Sequence, residues 1–278
     1  MKKALVTGAK GMLGQDLCPI LEAGGYQVVR TDIAEMDITK FEVVDNIISV
    51  EKPNVVIHCA AYTDVDKAEE DIEKARLINK FGTENIAKAC AKNECAMIFI
   101  STDYVFAGDS IKLYKPTDST APLNNYGLTK LEGEDAVRKF CPKHYIIRTS
   151  WLFGIHGVNF VETMISLAGK SEIKVVDDQI GCPTWAVDLS KEILRLIDAK
   201  KDYGTYHICG SGVTSWYGFA KEIFVQCGLD VNLKPCTTSE FPRLAKRPAY
   251  SAMDNEGVCR DWREALKDYI NLRQKVGK

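Results

Sequence analysis

A chain of 278 residues, 46% of them hydrophobic, is long enough to bury a large core, as one large domain or two closely joined ones. The net charge of −2 and pI near 6.1 come from interspersed signs without a basic run, which argues against nucleic acid or an anionic membrane as a partner. No apolar stretch approaches the roughly 20 residues of a membrane span, and the amino terminus passes straight into a strand pattern, so a cytoplasmic protein without a cleaved leader is expected.

The first strand, Ala4 to Thr7, leads through Gly8-Ala9-Lys10-Gly11-Met12-Leu13-Gly14 into a helical pattern that reaches Leu21. Strand, glycine turn and helix form the setting of a dinucleotide fingerprint. Gly8, Gly11 and Gly14 allow a tight turn, close approach of a pyrophosphate, and packing of the helix on the sheet. The spacing is Gly-x-x-Gly-x-x-Gly, and a glycine triplet alone is also compatible with a plain turn. The second strand, Tyr26 to Arg30, ends at Asp32, where a carboxylate would meet the adenosine ribose. Asp32 disfavours a 2′-phosphate and Arg30 favours one, so NADPH and NADH both remain candidates. Thr39 is expected to cap the next helix, near residues 41–50.

A third strand, Val55 to His58, opens into the small-sided exit Cys59-Ala60-Ala61, which lets a ligand lie against the backbone. His58 reads as a satisfied strand-end histidine. A long helical stretch over residues 68–92 carries Asn79, and a fourth strand, Ala96 to Ile100, ends in Ser101-Thr102-Asp103-Tyr104. The alternation predicts a Rossmann-type doubly wound parallel α/β sheet whose strand ends gather on one side. Asn124 or Asn125 is expected to cap a helix running to about Cys141, which places Tyr126 and Lys130 on one face. An ammonium beside the phenol would bring its pKa toward working range for protonating a carbonyl oxygen. Tyr217 and Lys221 have the same spacing in an amphipathic run over residues 215–227, so the spacing alone decides nothing.

A fifth strand, His144 to Arg148, precedes Trp151, which is read either as a stacking surface for a nucleotide base or as a core aromatic. Residues 160–167 and 188–199 read as helices, 173–176 as a strand, and 205–209 as a strand returning to the main sheet. The resulting division assigns 1–150 to a dinucleotide-binding domain, with 186–209 returning to it, and 151–185 plus 210–278 to a smaller carboxyl-terminal substrate lobe. In that lobe Arg243, Lys246 and Arg247 form a basic loop, and the Arg-Pro context singles out Arg247 for a phosphate. The ten cysteines include no Cys-x-x-Cys pair and do not cluster with the four histidines, so they read as small hydrophobes rather than metal ligands.

Several of these segments together resemble the extended short-chain dehydrogenase/reductases: Thr7-Gly8-x-x-Gly11-x-x-Gly14, Ser101-Thr102, and Tyr126-x-x-x-Lys130. Within that group the chain is similar to the dTDP-4-dehydrorhamnose reductase family, through residues 60–69, 101–106, 148–154, 178–184 and 247–251. The resemblance implies NAD(P)H-dependent reduction of the C4 keto group of dTDP-4-dehydro-6-deoxy-L-mannose to dTDP-L-rhamnose. It implies a catalytic triad of Thr102, Tyr126 and Lys130. Cofactor contacts would come from Gly8, Gly11, Met12, Leu13, Asp37, Ile38, Ala60, Ala61 and Tyr62, and substrate contacts from Thr63, Val65, Tyr104 and Trp151. Some members dimerise through magnesium held by glutamates, which allows a homodimer here; Gln15 stands where a carboxylate would be sought, and no ligand set is identifiable. His58 stands where the family often has Asn. Asp103 is followed by Tyr104, whereas related dehydratases carry an Asp-Glu pair, which favours simple reduction. The alternatives are another nucleotide-sugar reductase or epimerase, and a non-catalytic regulatory subunit of the same fold.

Overall fold

The computed structural model describes residues 2–277. Six parallel strands make the main sheet: β1 (Lys2–Thr7), β2 (Tyr26–Thr31), β3 (Val55–His58), β4 (Ala96–Thr102), β5 (His144–Thr149) and β6 (Gly204–His207), in the order β6-β5-β4-β3-β1-β2. Alternate residues of these strands serve opposite faces. Leu5, Val56, Met97, Phe99 and Ile146 pack beneath helices Phe41–Glu51, Thr83–Lys92 and Asn125–Phe140. Ala4, Val6, Ile57, Ile98 and Ile147 pack beneath Met12–Ala23 and Ala186–Asp198. Burial on both faces explains why the strands are nearly continuous apolar runs. The expected doubly wound sheet is therefore present, and the strand expected over 205–209 runs from Gly204 to His207 alongside β5.

The chain leaves β1 toward β2 on one side and then crosses to β3 on the other. This reversal opens a crevice at the carboxyl ends of β1 and β3, the place where open α/β sheets bind ligands. A separate apolar cluster holds the carboxyl-terminal elements together, with Phe153, Val161, Phe219, Ile223, Trp262, Leu266 and Tyr269 at its centre.

Two local expectations are corrected. Thr39 does not cap the following helix: its hydroxyl donates to Asp37 at 2.7 Å, and Lys40 occupies the cap position without a side-chain bond. The stretch over 68–92 is not one helix. Asp71 interrupts it and caps Ile72–Arg76 by accepting from the Lys74 N–H, and a π-helical turn, Leu77–Gly82, precedes Thr83–Lys92. Wide turns of this kind displace side chains from the regular helical register and recur at functional sites; here the turn carries Asn79, which is 1% exposed.

Candidate active site

A cleft of about 890 Å³ runs along the carboxyl ends of β1 through β5. At its floor Gly8 has φ +62°, and a Cβ there would lie 2.8 Å from the Ala60 nitrogen. A Cβ on Gly14 would lie 2.4 Å from the Gly8 oxygen. The first glycine is thus required by turn and neighbour together, the third by close packing. Gly11 begins the helix Met12–Ala23 without a side-chain cap, so the N–H groups of its first turn are open to a ligand's oxygens. This uncapped, cleft-lining turn fits a pyrophosphate.

At the adenosine end, Asp32 accepts the Lys10 N–H at 3.1 Å and its neighbour Ile33's N–H at 2.9 Å. Glu35 accepts the Asp32 N–H at 3.0 Å and pairs with the Lys10 ammonium at 2.8 Å. Asp37, with the Thr39 hydroxyl donating to it, has a carboxyl pKa below the ordinary range. Gly8, Gly11, Met12, Leu13, Gly14, Asp32, Asp37, Ile38, Ala60 and Ala61 all line the cleft. Arg30 and Tyr62 do not. Arg30 points instead along the outer face of the helix Met12–Ala23, where it pairs with Glu22 at 2.7 Å. Tyr62 presents its backbone to Asn79, which accepts from its N–H at 2.8 Å and donates to its carbonyl at 3.1 Å.

The chemical end is built where β4 meets the helix Asn125–Phe140. Asn124 caps that helix, accepting the Gly127 N–H at 2.8 Å, and this fixes Tyr126 and Lys130 one turn apart. Gly127 is obligatory because a Cβ would lie 2.2 Å from the Tyr104 oxygen, so the helix start sits directly on the end of β4. Thr102, Tyr126 and Lys130 line the same cleft as the glycine turn. The Lys130 ammonium donates to the Ile100 carbonyl at 2.6 Å and lies 4.1 Å from the centre of the Phe99 ring. Burial drives its pKa down to about 7, with the carboxylate of Glu134 opposing that fall.

The expected lowering of the Tyr126 pKa by Lys130 is not found. Burial pushes the phenol up to about 12, and the neighbour that opposes this is the Thr102 hydroxyl. Lys130 does not counter the burial of the phenol; its ammonium is turned toward the Ile100 carbonyl. A phenol in this setting holds its proton firmly, the state required of a proton donor.

Asp103 was read from the sequence only as half of a missing acidic pair, yet it organises the catalytic threonine. The Thr102 hydroxyl donates to it at 3.0 Å, and Ser251 from the carboxyl-terminal lobe donates to its other oxygen at 2.5 Å. Burial raises the Asp103 carboxyl to about 6. A second buried carboxylate, Glu134, receives two bonds from Arg148, at 2.9 and 2.8 Å, and one from Ser101 at 2.6 Å. Burial, the largest influence, pushes the Glu134 carboxyl up, but these donors together hold it below the ordinary range. Neither role is legible locally: the partners Ser251, Arg148 and Ser101 lie 148, 14 and 33 residues away.

Of the proposed substrate residues, Thr63 and Trp151 line the cleft and Val65, Tyr104 and Arg247 do not. Trp151 has one face covered by Trp216, with ring centres 3.5 Å apart, and a Cβ on Gly181 would lie 2.4 Å from the indole, so the packing role expected of it is present. Tyr104 meets Tyr126 edge to face at 5.8 Å. Arg247 forms a two-pronged pair with Asp66, at 2.5 and 2.9 Å, joining the lobe to the loop after β3; its guanidinium is committed to a carboxylate rather than free for phosphate. Among the described residues no cluster of three or more His, Cys, Asp or Glu is arranged to hold a metal ion, and no helix is long and apolar enough to cross a membrane.

Comparisons with known proteins agree with this arrangement. The family model described as the RmlD substrate binding domain matches residues 1–274. A dTDP-4-dehydrorhamnose reductase of Aggregatibacter actinomycetemcomitans is 40% identical, over 96% of this chain and 98% of that protein. Among solved structures, the dTDP-4-dehydrorhamnose reductase of Clostridium acetobutylicum is 46% identical with a TM-score of 0.95, covering 98% of this chain and 99% of that one. The Bacillus anthracis reductase, solved in complex with NADP, is 40% identical with the same TM-score, covering 98% and 100%. A UDP-glucose 4-epimerase of Thermus thermophilus shares the fold at 16% identity and a TM-score of 0.81. With a family model spanning nearly its whole length and relatives at this level of identity, the chain belongs to the dTDP-4-dehydrorhamnose reductase family of extended short-chain dehydrogenase/reductases.

Proposed function

We propose that this protein reduces the C4 keto group of dTDP-4-dehydro-6-deoxy-L-mannose to give dTDP-L-rhamnose, in the cytoplasm, with NADPH or NADH. The observation that carries the reading is the convergence of Thr102, Tyr126 and Lys130 on the cleft that also contains the uncapped glycine turn. The bound coenzyme supplies a hydride to C4. Tyr126 delivers its phenolic proton to the C4 oxygen as negative charge develops there, and the high phenol pKa keeps that proton in place until then. Thr102, its hydroxyl positioned by Asp103, orients the same oxygen by turning its proton from that carboxylate to the substrate. Lys130, one turn from Tyr126 with its ammonium on the Ile100 carbonyl, would hold the nicotinamide ribose of the bound coenzyme.

The absence of an acidic residue after Asp103, where Tyr104 stands, supports reduction over dehydration. We assign the coenzyme to residues 1–150 and 186–209, and the sugar nucleotide to the lobe of 151–185 and 210–278, with Thr63 and Trp151 at the substrate wall. Ten free thiols, eight of them buried, suit a reducing compartment. The test is oxidation of NADPH and of NADH, followed with and without the keto sugar nucleotide. Turnover to dTDP-L-rhamnose supports the reading; normal coenzyme binding with no turnover would identify a binding module instead.

A further inference from the structure

The hydrogen bonds around His58 form a chain in which the position of every proton can be assigned. The Thr83 hydroxyl has one proton and gives it to the Asn79 carbonyl at 2.6 Å. Its oxygen, 3.1 Å from His58 Nε2, must therefore accept, so Nε2 carries the imidazole proton. On the other side His58 Nδ1 lies 2.7 Å from the Thr7 hydroxyl, which already accepts the Ala60 N–H at 3.1 Å. With Nδ1 unprotonated, Thr7 donates to it and every partner is satisfied. A doubly protonated ring would leave Thr7 facing two donors with its own proton unplaced.

The surroundings enforce the neutral form. His58 is 1% exposed, Thr7 1% and Thr83 0%. The Phe99 ring stacks on the imidazole at 5.7 Å between centres. Burial first, and the charge of Lys130 second, hold the ring far below its ordinary pKa, at about 3. Lys130 on the catalytic helix is the charged group that acts on the ring; Thr7 of β1, Thr83 of the following helix and Phe99 of β4 contribute no charge.

A second branch continues from Asn79. Its amide oxygen accepts the Tyr62 N–H at 2.8 Å, while its nitrogen donates to the Tyr62 carbonyl at 3.1 Å and to the Thr129 hydroxyl at 3.0 Å. Thr129 in turn donates to the Tyr126 carbonyl at 3.0 Å. The bonds thus run from Thr7 in the strand before the glycine turn through His58, Thr83, Asn79 and Thr129 to the helix that carries Tyr126 and Lys130, with the backbones of Ala60 and Tyr62 held as branches at Thr7 and Asn79. The π-helical turn Leu77–Gly82 is the local feature that carries Asn79 where both branches meet.

We propose that His58, held neutral with its proton on Nε2, is a positioning residue that locks the coenzyme-facing backbone at Ala60–Tyr62 in register with the catalytic helix. The proposal rests on the coenzyme site described above. Its central requirement is one acceptor toward Thr7 and one donor toward Thr83. His58→Gln can present both, His58→Phe neither.

The test combines nitrogen NMR of histidine-labelled protein with fluorescence titration of NADPH and NADH on wild type, His58→Gln, His58→Phe and Thr83→Val. The wild-type ring should show protonation at Nε2 only and no titration between pH 5 and 8. His58→Phe and Thr83→Val should each weaken coenzyme binding about tenfold, as expected for one or more buried groups left unpaired, and His58→Gln should recover most of the loss. A proton on Nδ1, a ring titrating in that range, or a phenylalanine variant that binds coenzyme like wild type would overturn the proposal. If His58→Phe does not fold, the wild-type tautomer and the Thr83→Val titration still decide. Wild-type protein that binds neither coenzyme would count against the coenzyme site itself, and the tautomer measurement remains independent of it.

Discussion

Two helices of this protein start in the same way and serve different ends. Asn124-Asn125-Tyr126-Gly127 and Ser215-Trp216-Tyr217-Gly218 each place a capping side chain on the N–H of the glycine three residues on, at 2.8 and 2.9 Å, and each carries a lysine four residues after its tyrosine. Local sequence produces the same cap and the same spacing in both. The difference lies in what the helix rests on. Tyr126 and Lys130 face the carboxyl edge of the parallel sheet, with Lys130 2% exposed beneath the cleft. Tyr217 packs against the apolar cluster of the carboxyl-terminal lobe, and Lys221 is exposed to solvent. A Tyr-x-x-x-Lys spacing acquires chemistry only from the strand end beneath it.

That contrast is broken most strongly by Tyr126→Phe. Loss of the phenolic proton should lower kcat by roughly 100-fold or more while coenzyme binding persists, as steady-state rates and fluorescence titration would show. A variant with most of the wild-type rate would remove Tyr126 from the mechanism.

Burial of Lys130 makes a further distinction that stability measurements can read. Its pKa is about 7 in the folded protein against 10.5 for the ordinary side chain, so the unfolded chain binds the extra proton between those values. Folding stability therefore rises with pH across that window. Lys130→Met should be inactive but more stable than wild type at pH 7, and its advantage should shrink toward pH 10, as urea unfolding at a series of pH values would show. Lys221→Met, at the exposed counterpart, should show no such pH-dependent gain. A Lys130→Met difference that does not change with pH would mean the ammonium is not held in a desolvated site.

The coenzyme end gives a smaller effect. Asp32→Ala should shift the ratio of kcat/KM for NADPH over NADH upward by about tenfold, the worth of a lost ribose hydrogen bond together with relief of repulsion toward a phosphate. Arg30→Ala should leave that ratio nearly unchanged, because the guanidinium is paired with Glu22 away from the cleft. Smallest of all, Tyr217→Phe should stay within about twofold of wild type, because the ring stays packed in the lobe and only a hydroxyl outside the cleft is lost.

How far these features were legible in the sequence follows from their range. The strand, glycine turn and helix at the amino terminus are local: a turn with φ +62° and a close backbone contact both demand glycine, and both can be read from spacing. Asn124 as a cap is local for the same reason. The end of the second strand at Thr31 is likewise legible, but the pairing of Arg30 with Glu22 and the turn of the Asp32 carboxylate back to the Lys10 N–H of the glycine loop are not. The wide turn that carries Asn79 is tied to Tyr62 and Thr129, contacts that no helical periodicity contains. Arg247 looked like a phosphate ligand because its partner, Asp66, lies 181 residues away. The raised Tyr126 pKa is not legible because spacing records the neighbouring lysine but not the burial of the phenol.

The most direct test of the account is a crystal structure with NADP and dTDP-L-rhamnose bound together. The hydroxyls of Tyr126 and Thr102 should both lie within hydrogen-bonding reach of the sugar O4, about 2.6 to 3.2 Å, with C4 facing the nicotinamide ring and Lys130 beneath it. A sugar whose O4 meets neither hydroxyl, or a dinucleotide lying away from the Gly8–Gly14 turn, would contradict it.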